Sequence, residues 1–263
     1  MKYNMDSARY GNWVSMGLIR KVIVVFFLLL IPCVFLWIGL PGWLPLKIIL
    51  TFLAALTFIF ALYLCTVRYI FSTKGGDIQN KILELLLSRT ELNGKNALDI
   101  GCGSAALTIK LAKKYPDIQV TGIDYWGGPW GYSKKICEEN SNIEGVASRT
   151  EFIQASASEL PFDDDSFDLV VSNMTFHEVK DSNNKYDVVK EALRVVKKGG
   201  YFVFQDLFLF HFYYPDIEEF MLILKNSGID NIHFIDTSKS PFIPKLLKLP
   251  FMVGTIGILY GTK

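Results

Sequence analysis

The chain has 263 residues and a formal charge of +1, from 27 basic and 26 acidic side chains. The near-neutrality hides an asymmetry: residues 1–70 hold six Lys or Arg against one acid, +5, and the other 193 residues balance at −4. A mildly acidic body argues against a nucleic-acid binder, an apolar content of 51% excludes disorder, and four cysteines, two of them in the apolar head, make no disulfide framework.

Val22–Leu40 and Ile48–Val67 are uncharged runs of 19 and 20 residues. As helices each reaches about 30 Å, the thickness of the hydrocarbon core. Trp37, Trp43, Tyr63 and Tyr69 suit interfacial belts. A cleaved signal peptide fits poorly, because the charged region is long, no small-residue cleavage site follows, and a second span comes directly after. Arg9, Arg20 and Lys21 precede the first run and Arg68, Lys74 and Lys81 follow the second, whereas the connector Pro41–Lys47 has only Lys47. That bias predicts an integral membrane hairpin with both ends and the body in the cytoplasm. No ionisable residue lies inside either run, so a transport pathway has no support. The expected organisation is an anchor over 1–71, with helices about 22–40 and 48–67, and a soluble domain over 72–263 entered through Ser72–Gly76.

In the body, helical and strand patterns alternate. Asp77–Ser88 has a helical apolar face and Asn96–Ile100 is a buried strand closed by glycine. Ala105–Tyr115 is a helix stopped by Pro116, Gln119–Ile123 a strand, Ser133–Glu139 a helix, and Glu151–Ala155 and Phe167–Ser172 strands. Tyr186–Val196 reads as a helix ended by Lys197-Lys198 and the Gly199-Gly200 pair. Tyr201–Gln205 is a strand, Asp216–Asn226 a helix, and Ile232–Ile235 and Val253–Tyr260 the last strands. This alternation predicts an α/β fold, an open, mostly parallel sheet with helices on both faces.

Ligands of such sheets sit beyond the carboxyl ends of the strands. The first strand ends in Asp99-Ile100-Gly101-Cys102-Gly103-Ser104, a glycine turn that lets a ligand approach the backbone. The second ends in Asp124, placed 21 residues past Gly103, where a carboxylate can accept both hydroxyls of a ribose. Nicotinamide and S-adenosylmethionine (SAM) sites both remain open at this point. Asp99 then matters: a carboxylate there repels a pyrophosphate but can help place a cationic aminoacyl group, directly or through water. The Gly-Lys-Ser/Thr ending of a nucleoside triphosphate loop is absent.

Leu98–Ser104, Asp124, Leu160-Pro161-Phe162, Ser166-Phe167-Asp168 and Glu191–Gly200 follow one another in the order of the motifs of class I SAM-dependent methyltransferases, and over residues 76–210 the chain resembles that family. The resemblance implies a Rossmann-like seven-stranded sheet of order 3-2-1-4-5-7-6 with an antiparallel seventh strand, and SAM as methyl donor. It implies that Asp99, Gly101 and Gly103 surround the methionine part, that Asp124 takes the ribose, that Tyr125 or Trp126 lies on the adenine, and that Ser156, Ala157 and Asn173 complete the cofactor site. One departure stands out: where the family has Gly-Asp-Ala, this chain has Ala155-Ser156-Ala157, a neutral hydroxyl in place of a carboxylate.

Acceptor chemistry is expected in the segment after the fourth strand, Asn173–Glu178, where His177 can deprotonate a hydroxyl and Glu178 suits a helix start. Cys102 and Cys137 have no ligand spacing, so no metal is expected and thiol chemistry has no support. The aromatic run Leu207–Tyr214 is suited to line an apolar acceptor pocket or touch a bilayer, and Lys245 and Lys248 among the apolar residues of Pro241–Met252 suit anionic lipid. Trp126–Gly131 reads as a lid or a turn. The function these features imply is methyl transfer from SAM to a small, lipophilic acceptor at the membrane. The alternatives are a non-catalytic SAM-binding sensor or assembly module, and a nicotinamide-dependent reductase that Asp99 disfavours.

Overall fold

The structure, a computed structural model, describes residues 7–39, 41–127, 131–229 and 231–263. Two compact units emerge: Gly11–Asn80, and a body of Lys81–Lys263 joined by the described residues 7–10.

The first unit is an antiparallel helical hairpin, α1 (Met16–Gly39) and α2 (Leu44–Phe71). Both helices are long and apolar enough to cross a membrane. Their surfaces are unlike those of buried core helices: Leu28, Phe35 and Ile38 are 66%, 77% and 83% exposed. Thr51 on α2 bonds across to α1, meeting Cys33 Sγ at 3.2 Å and accepting from Trp37 Nε1 at 3.2 Å. At the chain's entry and exit, Asn12 Nδ2 donates to Arg68 O, Arg68 donates to Val14 O, and Trp13 packs edge-on against Phe71. The expected spans lie inside longer helices; Leu40, the last residue of the first expected span, is outside the described residues.

Helix α3 (Ile78–Leu87) leads into the body, whose strands are β1 (Asn96–Ile100), β2 (Gln119–Asp124), β3 (Thr150–Gln154), β4 (Phe167–Asn173), β5 (Val196–Asp206), β6 (Asn231–Asp236) and β7 (Gly257–Thr262). Their order is 3-2-1-4-5-7-6, parallel except for β7, as the family resemblance implies. The remaining helices are α4 (Ala106–Lys114), α5 (Lys134–Ile143), α6 (Lys185–Arg194) and α7 (Ile217–Asn226). Side-chain alternation along the central strands feeds two cores. Leu98, Ile100, Val170, Phe202 and Phe204 pack under α6 and α7, whereas Ala97, Leu169, Val171 and Val203 pack with residues of α3, α4 and α5.

Two expectations about elements are corrected. Lys197–Gly200 does not end a helix; it belongs to β5, where the register against β4 shifts between Phe167 and Leu169. Gly199 takes φ +75° there, and a Cβ on Gly200 would press on Lys197 O and Asp168 O, so the glycine pair serves a bulge. Residues 253–256 are likewise outside β7, which begins at Gly257.

Several of the motifs prove mechanical. Asp168 Oδ2 accepts from the backbone N–H of Lys95 and Asn96 while Oδ1 pairs with Lys197 at 2.8 Å, pinning β1 to β4 at the end away from the glycine turn. Arg194 holds Glu191 and Asp164 and donates to Phe162 O and Leu160 O, which fastens the Leu160-Pro161-Phe162 loop to α6.

Candidate cofactor and acceptor site

The turn after β1 is glycine-built because its neighbours leave no room. Gly101 has φ +75°, and a Cβ there would fall 1.9 Å from Thr175 Oγ1; Gly103 has φ +57°, with the Tyr132 ring 3.2 Å from where its Cβ would be. The turn's carbonyls are already engaged. Gly103 O accepts from Trp126 Nε1 at 3.0 Å and from Cys137 Sγ at 3.2 Å, and Ser104 O accepts from Asn140 Nδ2 at 2.9 Å. Asn140 also exchanges hydrogen bonds with the backbone of Arg9, and Ser104 Oγ donates to Tyr10 O, so residues 9–10 brace the turn from outside.

Asp124, at the end of β2, accepts from Gly103 N at 2.9 Å with one oxygen and from Trp126 N at 2.7 Å with the other. A carboxylate has about four lone-pair positions, so two remain for hydroxyl donors and the group is half-buried beside the turn. Tyr125 is 72% exposed. Trp126 is half-buried against the apolar cluster under the turn, so Tyr125 is the open aromatic face of the pair. Gly128, Pro129 and Trp130 of the expected lid are outside the described residues.

Asp99 is only 1% exposed and accepts from Thr108 Oγ1 at 2.6 Å. It lies beneath the turn, on the α4 side of the sheet. Burial, opposed by the Thr108 hydrogen bond and reinforced by the Asp124 charge, pushes its carboxyl up to about 7. Burial likewise pushes the Cys102 thiol well up, which leaves no reactive thiolate there.

After β3, Ser156 Oγ and Ser158 Oγ both donate to Asp181 Oδ2, at 2.8 and 2.7 Å. These bonds hold the Asp181 carboxyl below the usual range. A carboxylate from the loop after β4 thus lies against Ser156. Ala157 is buried in the core beside it.

The ends of β4 and β5 form the second half of the site. Thr175 Oγ1 donates to Ile100 O at 3.1 Å and Met174 N to Gln205 O at 2.7 Å, with Met174 at φ +58°. Asn173 Oδ1 accepts from Gln205 Nε2 at 2.8 Å, while Gln205 Oε1 is buried without a hydrogen-bond partner. His177, in a single helical turn, sets Nδ1 2.6 Å from Asp206 Oδ1, and its own N–H donates to Asp206 Oδ2 at 3.1 Å. Asp206 is fully buried and also receives the N–H of Leu207. Burial lowers the His177 pKa, but the charge and hydrogen bond of Asp206, with Glu178 adding to them, outweigh it and raise the imidazole above its ordinary value.

The sequence singled out the glycine turn, Asp124 and His177, but not the residues hydrogen-bonded to the expected site: Thr108, Asn140, Asp181 and Asp206. Asp206 carried a signal: it is an acid at a strand's carboxyl end, the rule that singled out Asp124. Asn140 carried none, being one polar residue among many on a polar helix. Among the described residues no cluster of His, Cys, Asp and Glu can hold a metal ion.

A family model described as "Methyltransferase domain" matches residues 98–204. Fatty-acid O-methyltransferase of Mycolicibacterium smegmatis is 31% identical over 120 residues, which are 45% of this chain and 39% of the relative. Demethylmenaquinone methyltransferase of Bacillus subtilis is 37% identical over 108 residues, 41% of this chain and 43% of the relative. The chain therefore spans about two fifths of the length of these curated relatives. Among solved structures, geranyl diphosphate C-methyltransferase from Streptomyces coelicolor, in complex with Mg2+, geranyl diphosphate and S-adenosyl-L-homocysteine, superposes with a TM-score of 0.53 at 13% identity, covering 72% of this chain and 80% of that one. The [4+2]-cyclase SpnF superposes at 0.51 with 19% identity, covering 70% and 80%. These likenesses show the fold alone, and the cyclase is a reminder that the fold does not fix the chemistry.

Proposed function

We propose that this chain, whose residues 98–204 match a family model described as "Methyltransferase domain", is a class I SAM-dependent methyltransferase that moves the methyl group of SAM to a hydroxyl oxygen of a lipophilic acceptor, from a cytoplasmic domain of residues 72–263 anchored in the membrane by α1 and α2. The observation that carries the reading is the His177–Asp206 pair where β4 and β5 end. A sensor that only binds SAM has no use for a buried carboxylate directing an imidazole, whereas an acceptor that must lose a proton does.

The residues present fit SAM. Gly101 and Gly103 keep the turn's backbone bare of side chains against Thr175 and Tyr132, Asp124 keeps lone pairs for the ribose hydroxyls, Tyr125 offers a ring to the adenine, and Ser156 with Asp181 supplies polar groups for its edge, over the buried Ala157. Asn173 and Gln205 border the methyl-bearing end, where the unpartnered Gln205 Oε1 suits a polar group of a ligand. Asp99 acts from under the turn, where its negative charge favours a cationic aminoacyl group without touching it. When bound, SAM supplies a methyl group on a sulfonium, and holding the acceptor oxygen in line with it accounts for much of the acceleration. Asp206 keeps the proton on Nδ1 of His177, which leaves the Nε2 lone pair to take the acceptor's proton.

The fatty-acid and demethylmenaquinone relatives support a lipophilic acceptor, as does the hairpin. The test is transfer of labelled methyl from SAM into membrane lipid extracts by the full-length protein in detergent. Production of S-adenosylhomocysteine only when extract is present is the expected result; binding with no turnover on any extract would leave a sensor.

Two variants check the cofactor half. Asp124→Ala should weaken binding of SAM by about 1–3 kcal/mol, the scale of a lost charged hydrogen bond, and unchanged affinity by titration calorimetry would assign the ribose elsewhere. Asp181→Asn should narrow the preference for S-adenosylhomocysteine over S-inosylhomocysteine, which lacks the adenine amino group. An unaltered ratio in competition binding would remove Asp181 from adenine recognition.

A further inference from the structure

Two segments that the methyl-transfer reading leaves unused meet in the structure. The turn after β5, residues 207–214, and the loop between β6 and β7 are joined by a hydrogen bond from Leu209 N to Thr255 O at 3.0 Å. Each segment is divided between core and surface. Phe208, Tyr214, Leu247 and Val253 are buried at 1% or less, whereas Phe212, Phe210 and Leu249 point outward, 79%, 40% and 38% exposed. Apolar rings turned to water beside a well-formed core are the mark of an interaction surface.

The charge of this surface differs from that of the body as a whole. Lys245 and Lys248 are exposed and form no ion pair among the described residues. The stretch 237–256 has three lysines and no acid, and 207–215 has no acid either. The body carries a net −4, so the unpaired Lys245 and Lys248, with Lys239 held by Asp236, make these joined segments a local inversion of sign. Lysines flanking exposed aromatic and leucine side chains are what an interfacial protein presents to anionic headgroups and the acyl boundary beneath them.

The same face leads to the acceptor end of the site. Phe212 contacts Phe210 and Tyr213, with ring centroids 6.1 and 5.2 Å away, and Tyr213 lies 6.0 Å from the His177 ring. A row of rings therefore runs from the most exposed phenylalanine to the imidazole that the proposed chemistry uses.

We propose that Phe210, Phe212 and Leu249, flanked by Lys245 and Lys248, form a docking surface for an anionic lipid bilayer, which sets the mouth of the acceptor site against the membrane so that a lipid-phase acceptor reaches His177 along the aromatic row. The proposal rests on the reading of α1 and α2 as spans, since a bilayer must be at hand. It adds a second, reversible contact to the anchor.

The test uses the full chain in lipid nanodiscs of phosphatidylcholine with and without phosphatidylglycerol. A nitroxide is placed in turn at native Cys65, which is exposed on α2, and, in a Cys65→Ser background, at Phe212→Cys and at Lys198→Cys. The other three cysteines are buried, and Lys198 is exposed at the opposite end of β5. At each site the accessibility to oxygen, which concentrates in lipid, is compared with that to a water-soluble nickel chelate. The expected result is a lipid signature at 65, an aqueous one at 198, and at 212 an oxygen-to-nickel ratio several-fold above that at 198. Phosphatidylglycerol should raise the ratio at 212, and Lys245→Glu with Lys248→Glu should reverse that rise. A lipid signature at 65 with an aqueous one at 212 overturns the docking surface and leaves the anchor standing. An aqueous signature at 65 overturns the anchor and the docking surface with it. Shielding of 212 from both reagents means that a second copy of the chain covers the face, which also overturns the proposal.

Discussion

Replacing Asp99 with asparagine should make the ligand-free protein more stable above neutral pH and a poorer binder of SAM. The carboxyl is 1% exposed and titrates at about 7, against 3.8 for an ordinary aspartate. The folded state therefore holds a proton that the unfolded chain has released between these values, and stability falls as pH rises from about 4 to 7, then stays level. Three units of pKa correspond to about 4 kcal/mol, the upper figure for what a neutral isostere should recover at pH 8. Asparagine keeps an oxygen to accept from Thr108 Oγ1, so the local geometry survives. Thermal unfolding of the two proteins in detergent should show the variant melting higher at pH 8, with the gap closing toward pH 4. The ligand effect runs the other way. A cationic ligand above the turn favours the ionised form, so wild-type affinity for SAM should decline as pH falls through 7 more steeply than that of the variant. Equal melting temperatures at pH 8 would show that the buried charge is compensated by groups other than Thr108.

That residue also illustrates what the sequence could and could not disclose. Its place before Gly101 and Gly103 suggested a ligand turn only together with Asp124 at the end of the next strand, because a glycine turn alone is a weak signal. Nothing in the spacing said that the carboxylate would face α4 rather than the open side; that follows from strand alternation together with Thr108, a helical residue in a neighbouring layer. The central strands were legible for the same reason Asp99 was: buried parallel strands are continuous apolar runs. Their order was not, and came from the resemblance. Lys197–Gly200 misled because a basic turn followed by two glycines is also how a helix ends, and only the register against β4 distinguishes the bulge. The N-terminal brace at Arg9 and Tyr10 joins residues more than ninety positions from their partners Ser104 and Asn140, a relation no local pattern encodes. Likewise the aromatic segment and the lysine-bearing loop were visible separately, and only the fold joins them, through Leu209 N and Thr255 O.

His177 is the position where the largest loss of turnover is expected. His177→Asn keeps a side-chain N–H at about the place of Nδ1, so the bond to Asp206 and the turn it fastens can persist, but nothing remains at Nε2 to take a proton. If the imidazole is the base, the rate with a hydroxyl acceptor should fall by about 10²- to 10⁴-fold while the affinity for SAM stays unchanged. A histidine that only fastens the turn would lose little in this variant, because asparagine fastens it too. The pH profile adds an independent readout. The base works neutral, so wild-type turnover should rise with pH through a value above the ordinary 6.5 of histidine, since Asp206 and Glu178 together overcome the opposing effects of burial and the Lys185 charge. Asp206→Asn removes the larger of those stabilising charges and leaves burial to act, so the inflection should move to lower pH even as the misoriented ring turns over more slowly. A fall in rate without a shifted inflection would mean that Asp206 positions the turn and does not tune the base, whereas both changes together would tie the buried carboxylate, through the imidazole, to the proton the acceptor gives up.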